Sequence, residues 1–496
     1  MSHPSLAGRA TLAVLLLIGF YVLAFALIAA LLYVPYAEVT YLHRINGRIT
    51  LFAIIGAGAI FWAILPRIDR FDPPGPSLER ARHPRLFATL DEIARSAEQE
   101  MPREVYLVPD MNAWVAQRGG VMGFGSRRVM GLGLPLMQAL TISQLRSVLA
   151  HEFGHYHGGD TALGPWIYKT RAAIGRTLHT LSNHSAMLMK PFEWYGNAFL
   201  RITHAISRRQ EFAADALAAR VTGTATTVDA LKMVHSAGMA FDPYWQTEIM
   251  PAIQKGYRPP IADGFREFSA APSIATSIEK ALTHELAEGK ADPYDTHPPL
   301  RERVAALESA PAVRRETAED HAMAITLLED VPTLEVALLD GMLREDYRGK
   351  LKPLSWDDAG SELWMPLWRE QVRAVRDRLA GLTPAMLPAL AADPGGLAVT
   401  LGYVRDRGAS NDDTTREAAH VIGAAIAIAL HDRGFAVRAR PGHAVTLVRD
   451  DVELAPLSAL GDLIAKTLTP EAWRDQCVRA AIASVDLGTV ASDRPA

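Results

Sequence analysis

Cysteine is what this chain most conspicuously lacks: Cys477 is the only one in 496 residues. No intramolecular disulfide and no thiolate metal cluster can form, and the lone thiol reads as a small buried hydrophobe rather than a nucleophile. The absence of disulfides favours a reducing compartment for the bulk of the chain. Strong charge of either sign is lacking too. With 51 Lys+Arg against 55 Asp+Glu the formal net charge is -4, so composition offers no basic footprint and no nucleic-acid partner is expected. Long uncharged apolar runs are missing from everything after residue 65, which leaves only two candidates for membrane spans.

The first candidate, Thr11 to Val34, is uncharged and mostly apolar, long enough at ~1.5 Å per residue to cross a bilayer with some tilt. A signal peptide would have an apolar core of about 7–15 residues ending at a small-residue cleavage site. This run is longer, and no such site follows it. The second, Ile49 to Leu65, sits at the lower limit for a span, with Gly56 and Gly58 placed to let two helices approach closely. A buried soluble helix is the alternative for that second run. The short link between them predicts a two-helix membrane hairpin over residues 1–70, spanning about 11–34 and 49–65. Arg44 and Arg48 lie in the link, whereas Arg9, Arg67, Arg70, Arg80, Arg82 and Arg85 lie outside it. That distribution favours both ends in the cytoplasm.

Pro73-Pro74-Gly75-Pro76 then breaks the chain ahead of a soluble region. Arg85 to Glu100 reads as an amphipathic helix, and Glu104 to Val108 and Arg127 to Leu134 as strands. Thr141-Ile142-Ser143-Gln144 has the form of a capping box. The helix it opens carries Leu145, Leu149 and Phe153 on one side and Ser147, His151, Gly154 and His155 on a small polar face, with Gly158-Gly159 ending it. A glycine inside a helix costs about 1 kcal/mol relative to alanine. Gly154 therefore implies either close approach of another backbone or room beside a metal. Residues 160–207 are interrupted by charges such as Lys169, Arg176 and Lys190 and predict amphipathic helices rather than spans. Their Trp166, Tyr168, Trp194 and Tyr195 suit either a bilayer surface or an ordinary core. A further helix is expected from about Phe199 to Thr222, closed by Gly223, then an irregular proline-rich stretch over 242–300 and a helix from Arg301 to Leu307. Beyond 310, helices dominate to about His431. A hairpin follows, Phe435–Arg440 and Ala444–Arg449 around Pro441-Gly442, and then a last helix near Pro470 to Val485. No cluster of ligand-type residues stands out there.

The chemistry centres on His151-Glu152-Phe153-Gly154-His155. On a helix, the four-residue spacing puts both imidazoles on one face, the geometry for gripping a single zinc ion, with Glu152 beside them as a general base. With 16 histidines in the chain such a motif also arises by chance, so a third ligand has to be found. The metzincin pattern would need a histidine at position 161, where Thr161 stands, and is excluded. His157 points away from the pair on a helix. A glutamate from a second helix is the other common solution, and Glu211 fits it because Asp215 lies one turn further on. One carboxylate would bind the metal and the other would accept a ligand histidine's free ring N–H. The alternative makes Glu211 a surface charge paired with Arg208; the motif upstream favours the ligand.

Three segments in order, Leu149 to His155, Arg209-Gln210-Glu211-Phe212-Ala213-Ala214-Asp215 and Thr296-His297-Pro298-Pro299-Leu300-Arg301-Glu302-Arg303, resemble the M48 family of zinc metallopeptidases. That family includes a bacterial heat-shock membrane protease and a eukaryotic prenyl-protein protease. The resemblance covers roughly residues 85 to 310, and Asn112-Ala113 fits it as well. It implies one zinc ion per chain held by His151, His155 and Glu211, with Glu152 as general base, Asp215 behind the ligands and His297 stabilising the oxyanion. It further implies a substrate cleft lined by Asn112, Ala113, Val129 and Met130, with Arg303 nearby. The family's relatives carry additional membrane spans around the catalytic helices, which the charges of residues 160–207 do not suggest here.

The expected architecture is α+β and mainly helical: the membrane hairpin, a gluzincin-type zinc peptidase domain with a small sheet over residues 71–310, and a C-terminal α/β domain over 311–496. The expected activity is membrane-anchored zinc endopeptidase, acting on protein or peptide substrates at a bacterial inner membrane with its catalytic domain cytoplasmic, and extending to membrane-protein quality control. A membrane-anchored scaffold with a silent or gated peptidase fold is the rival expectation.

Overall fold

Apolar length makes the first two helices. The computed structural model of the protein describes residues 6–65, 71–118, 127–155, 164–182, 186–289, 297–309, 311, 318–393, 401–402 and 411–490. Helix α1 runs over Leu6–Thr40 and α2 over Gly47–Ile64. Both are long and apolar enough to cross a bilayer. Their connection is fastened by Glu38, a buried carboxylate that accepts hydrogen bonds from Thr50 Oγ1 at 2.6 Å and the Asn46 amide at 3.3 Å. Leu15, Ile18, Val22, Phe25, Ile54, Ile55 and Trp62 point outward. An apolar face of that extent suits lipid rather than water.

Helix α3, Pro84–Ser96, starts on a proline whose missing N–H would have had no partner in the first turn. It buries Leu86, Leu90 and Ile93. Strands β1 (Glu104–Val108), β2 (Ala113–Arg118) and β3 (Arg127–Gly133) form one sheet in the order β1-β3-β2. β3 pairs parallel with β1 and antiparallel with β2, so Met130 faces Val105 on one side and Val115 on the other. β2 is therefore an edge strand. Helix α4, Leu134–Ala139, leads into α5, Ile142–Gly154. Both halves of the expected capping box are present: Thr141 Oγ1 accepts from the Gln144 amide and Gln144 Oε1 from the Thr141 amide. Leu145, Leu149 and Phe153 are wholly buried, each contributing about 1.5–3 kcal/mol.

Helix α6 (Gly164–Ser182) and the first half of α7 (Ala186–Thr222) pack against the hairpin, with Ala173, Ile174, Leu188, Phe192 and Phe199 meeting Phe20, Ala24, Ile60 and Ile64. The Tyr195 hydroxyl donates to the Leu16 carbonyl, beside Gly19, where a side chain would lie 2.8 Å from that hydroxyl. Trp194 is exposed, and the side chains of Trp166 and Tyr168 lie outside the described residues. Gly223, at φ +95°, closes α7 as expected and lets α8 (Thr224–Tyr244) turn back.

The irregular stretch expected over residues 242–300 is instead largely helical. A π-helical turn, Trp245–Ile249, follows α8, and then come α9 (Met250–Gln254), α10 (Ile261–Ala270), α11 (Pro272–Glu288) and α12 (Leu300–Glu308). Three of the prolines that suggested irregularity sit at helix starts, Pro260 capping α10, Pro272 opening α11 and Pro299 capping α12, whereas Pro243 lies inside α8 and Pro251 follows the π-helical turn without a break in the helix. A proline at a helix start removes no helical hydrogen bond.

Two compact units emerge, Met1–Ala237 with Lys280–Met342, and Gly238–Glu279 with Leu343–Ala496. In the second unit the helix Asn411–His431 is buried from Val421 to Leu430, among Trp368, Trp473 and Leu379. The expected hairpin is present as β6 (Ala436–Arg438) with β7 (Thr446–Arg449), and a third strand, β8 (Val452–Leu454), extends it through a tight turn with Asp450 at φ +56°. The unit also pairs β4 (Tyr257–Arg258) with β5 (Lys352–Pro353). Cys477 lies in the core, where burial pushes its thiol up to about 12. It is a packing residue, as its isolation in the sequence suggested.

Candidate metal centre and active site

His151 sits in the last turn of α5 and His155 is its C-cap, still in right-handed helical geometry. The two imidazoles meet edge to face, ring centroids 4.8 Å apart. Gly158-Gly159, expected to end the helix, lie outside the described residues, as do His157 and Thr161. Across from the pair runs α7, and the reason for Gly154 is visible there. A Cβ on it would lie 2.7 Å from the Ala214 Cα, so only glycine lets α5 and α7 approach this closely.

That approach delivers Glu211. Its carboxylate is buried, with Oε2 3.5 Å from His151 Nε2 and Oε1 3.7 Å from His155 Nε2. Asp215, one turn on, holds the opposite ring nitrogen of His151: Nδ1 to Oδ1 is 2.9 Å. That contact fixes the tautomer and leaves Nε2 turned toward Glu211. Arg303, on α12, grips Asp215 with two guanidinium nitrogens at 2.6 and 2.8 Å and approaches Glu211 Oε2 at 3.7 Å. Arg208, the suggested partner for Glu211, instead pairs with Glu302. His297, just before α12, brings Nε2 to 3.5 Å from Glu211 Oε1.

The electrostatics follow from burial and these contacts. Burial opposes a charge on His151, but Asp215 and Glu211 outweigh it and raise the imidazole to about 9. His155 is pushed down to about 4 by burial and by His151 beside it. Burial raises Glu152 to about 7, against the pull of His151 and Arg303 and a hydrogen bond from the Val115 backbone on β2. Burial would also raise Glu211 and Asp215. The histidines hold Glu211 below the usual carboxylate range, and Arg303 with His151 holds Asp215 down to about 2.

The donor set fits a cation. Glu211 Oε2 is buried without a hydrogen-bond partner among the described residues, a costly state for a carboxylate oxygen unless something positive completes it. Two imidazole nitrogens and a carboxylate match a catalytic zinc site. The 3.5 and 3.7 Å donor separations are close to the ~3.3–3.4 Å edges of a tetrahedron with bonds of about 2.0–2.1 Å.

The cleft beside this cluster, about 350 Å³, is lined by Asn112, Glu152, Asp215, His297 and Arg303, among others. Ala113 opens β2, buried beside it. Val129 and Met130, expected in the cleft, are fully buried on β3, which is flanked on both sides, so neither can meet a substrate backbone. Sequence reasoning missed the face of α8 that lines the cleft through Thr227, Ala230, Leu231, Val234 and His235. The signal was available in their helical spacing.

Residues 80–310 match the model of peptidase family M48. The chain is similar to the protein described as "Protease HtpX homolog" from Pseudarthrobacter chlorophenolicus, at 24% identity covering 53% of this chain and 86% of that protein. It is also similar to "Protease HtpX" from Pseudomonas putida strain F1, at 26% identity covering 47% of this chain and 73% of that protein. No solved structure matches it. Over residues 80–310, where all three motifs and the whole histidine–carboxylate cluster lie, the resemblance of this chain to peptidase family M48 is borne out.

Proposed function

We propose that the protein is a membrane-anchored, zinc-dependent endopeptidase whose peptidase domain occupies residues 71–310. The observation that carries this reading is the convergence of His151, His155 and Glu211 from two helices around a buried carboxylate oxygen that has no hydrogen-bond partner among the described residues. One zinc ion per chain, held by those three residues, would supply a Lewis acid for the scissile carbonyl and lower the pKa of the attacking water.

The chain's own groups do the rest. Glu152 removes the proton from water and returns it to the leaving amine, and burial suits it to both roles by bringing its pKa toward neutrality. His297 donates to the oxyanion of the transition state. Asp215 and Arg303 hold His151 in the tautomer that points Nε2 into the site. β2, the edge strand nearest α5, extends an incoming substrate backbone by strand addition, with Asn112 at its entrance. The excess of basic residues outside the hairpin favours the cytoplasmic side of a bacterial inner membrane for this chemistry, and membrane-protein quality control is the role we infer for it.

Glu152→Gln tests the reading. The variant keeps its zinc and loses casein cleavage by about 10²–10⁴-fold, the contribution expected of a general base. Undiminished cleavage at equal zinc content rules the assignment out.

A further inference from the structure

The cleft continues along α8 beyond the groups that peptide hydrolysis uses. Thr227, Ala230, Leu231, Val234 and His235 follow the i, i+3, i+4, i+7, i+8 spacing of one helical face. Where the row starts is fixed by a buried hydrogen bond of 3.0 Å from Ser147 Oγ to Thr227 Oγ1, and Ser147 lies one turn before His151 on α5. From there the row extends two turns, ~11 Å.

Glu285 of α11 lines the same cavity. It stands between Leu282 and Leu286, which pack with Leu231 on the cluster of Val228, Leu300, Val304 and Leu307. That packing sets Glu285 beside the apolar row. Asp215 and Arg303 engage each other, Glu152, His151 and His297 belong to the metal cluster, His235 stands in the α8 row, and among the described residues no cation lies within ion-pair distance of Glu285.

We propose that this row is the pocket for one substrate side chain, and that Glu285 makes it select lysine or arginine. The aliphatic stem lies along Ala230, Leu231 and Val234, and the basic head reaches the carboxylate, the arrangement long cationic side chains adopt on apolar surfaces. Apolar walls alone discriminate weakly among aliphatic side chains, so the charge is what sets the preference. This rests on the peptidase reading, and its test separates the two.

The full-length Glu152→Gln protein, zinc-loaded in detergent, is titrated into fluorescein-labelled alanine-glycine decapeptides carrying a single lysine, norleucine or glutamate. Norleucine keeps the stem without the charge. Anisotropy is expected to show lysine binding about 5- to 30-fold tighter than norleucine, with glutamate weakest. Adding Glu285→Gln should cut the lysine advantage below about twofold, while retained norleucine binding shows that the pocket is folded. A lysine advantage that survives Glu285→Gln overturns the proposal, as does its absence in the parent protein or the lack of any measurable lysine-peptide binding. Binding is read without turnover, so a wild-type chain that cleaves nothing would end the peptidase reading and leave this measurement decisive for the pocket.

Discussion

His151 meets Asp215 at Nδ1, with Arg303 beside that same nitrogen, and Glu211 at Nε2: the first contact sets the tautomer, and the second turns Nε2 toward the other ligands. Removing the Asp215 charge leaves the ring in place but loosens its tautomer. Asp215→Asn is therefore expected to weaken zinc affinity about 10–100-fold, measured by competition with a chelating dye, while the fold is retained. For the base, the sign of the pH effect follows from burial. Glu152 acts only when ionised, burial raises it to about 7, and a bound cation draws it part of the way back. The acid limb of kcat/KM should then fall between the ordinary glutamate value of about 4.3 and about 7, activity declining as pH drops through it. A limb at or below pH 4 contradicts the burial argument. At this scale the sequence was most legible, because His151, His155, Glu211 and Asp215 are spaced by helical turns. Val129 and Met130 were misread because local alternation marks a strand without showing whether it lies at a sheet's edge or its centre.

Elements were legible where local chemistry decides them and not where packing does. The capping box of α5 and the terminal Gly223 of α7 are short-range hydrogen-bond and backbone effects, and both are where the sequence pattern placed them. Helices α10 and α11 were hidden because a proline at a helix start looks, in sequence, like a proline that breaks one. β8 was missed because three residues carry too little alternation to register. Gly154 joins element to site, since the spacing of α5 and α7 sets the distance from the histidines to Glu211. Gly154→Val should cost about 1–3 kcal/mol in unfolding free energy and weaken zinc binding as α7 is pushed away. Gly58→Val is the control, a glycine with nothing within 4 Å of an added Cβ. Equal melting and zinc retention in the two variants would show that the close approach is not structural.

For the molecule as a whole, the two apolar helices and the M48-like segment were visible in the sequence, whereas the packing of α6 and α7 on the hairpin was not. Charges such as Lys190 and Arg201 disguise helices whose other faces are apolar, and only the folded arrangement shows what those faces meet. One consequence is that α7 is a single continuous helix, joining the hairpin at Phe192 to the metal cluster at Glu211. The C-terminal unit stayed opaque in function because its signals are those of a core, as in the buried run Val421 to Leu430. The zinc peptidase reading depends on Glu211, the ligand that lies outside the His-Glu-x-x-His motif. Zinc per full-length chain, measured by elemental analysis on the purified wild type and on Glu211→Ala, tests it most directly. About one zinc per wild-type chain and almost none in the variant is the predicted result. A Glu211→Ala chain that still holds about one zinc contradicts the account.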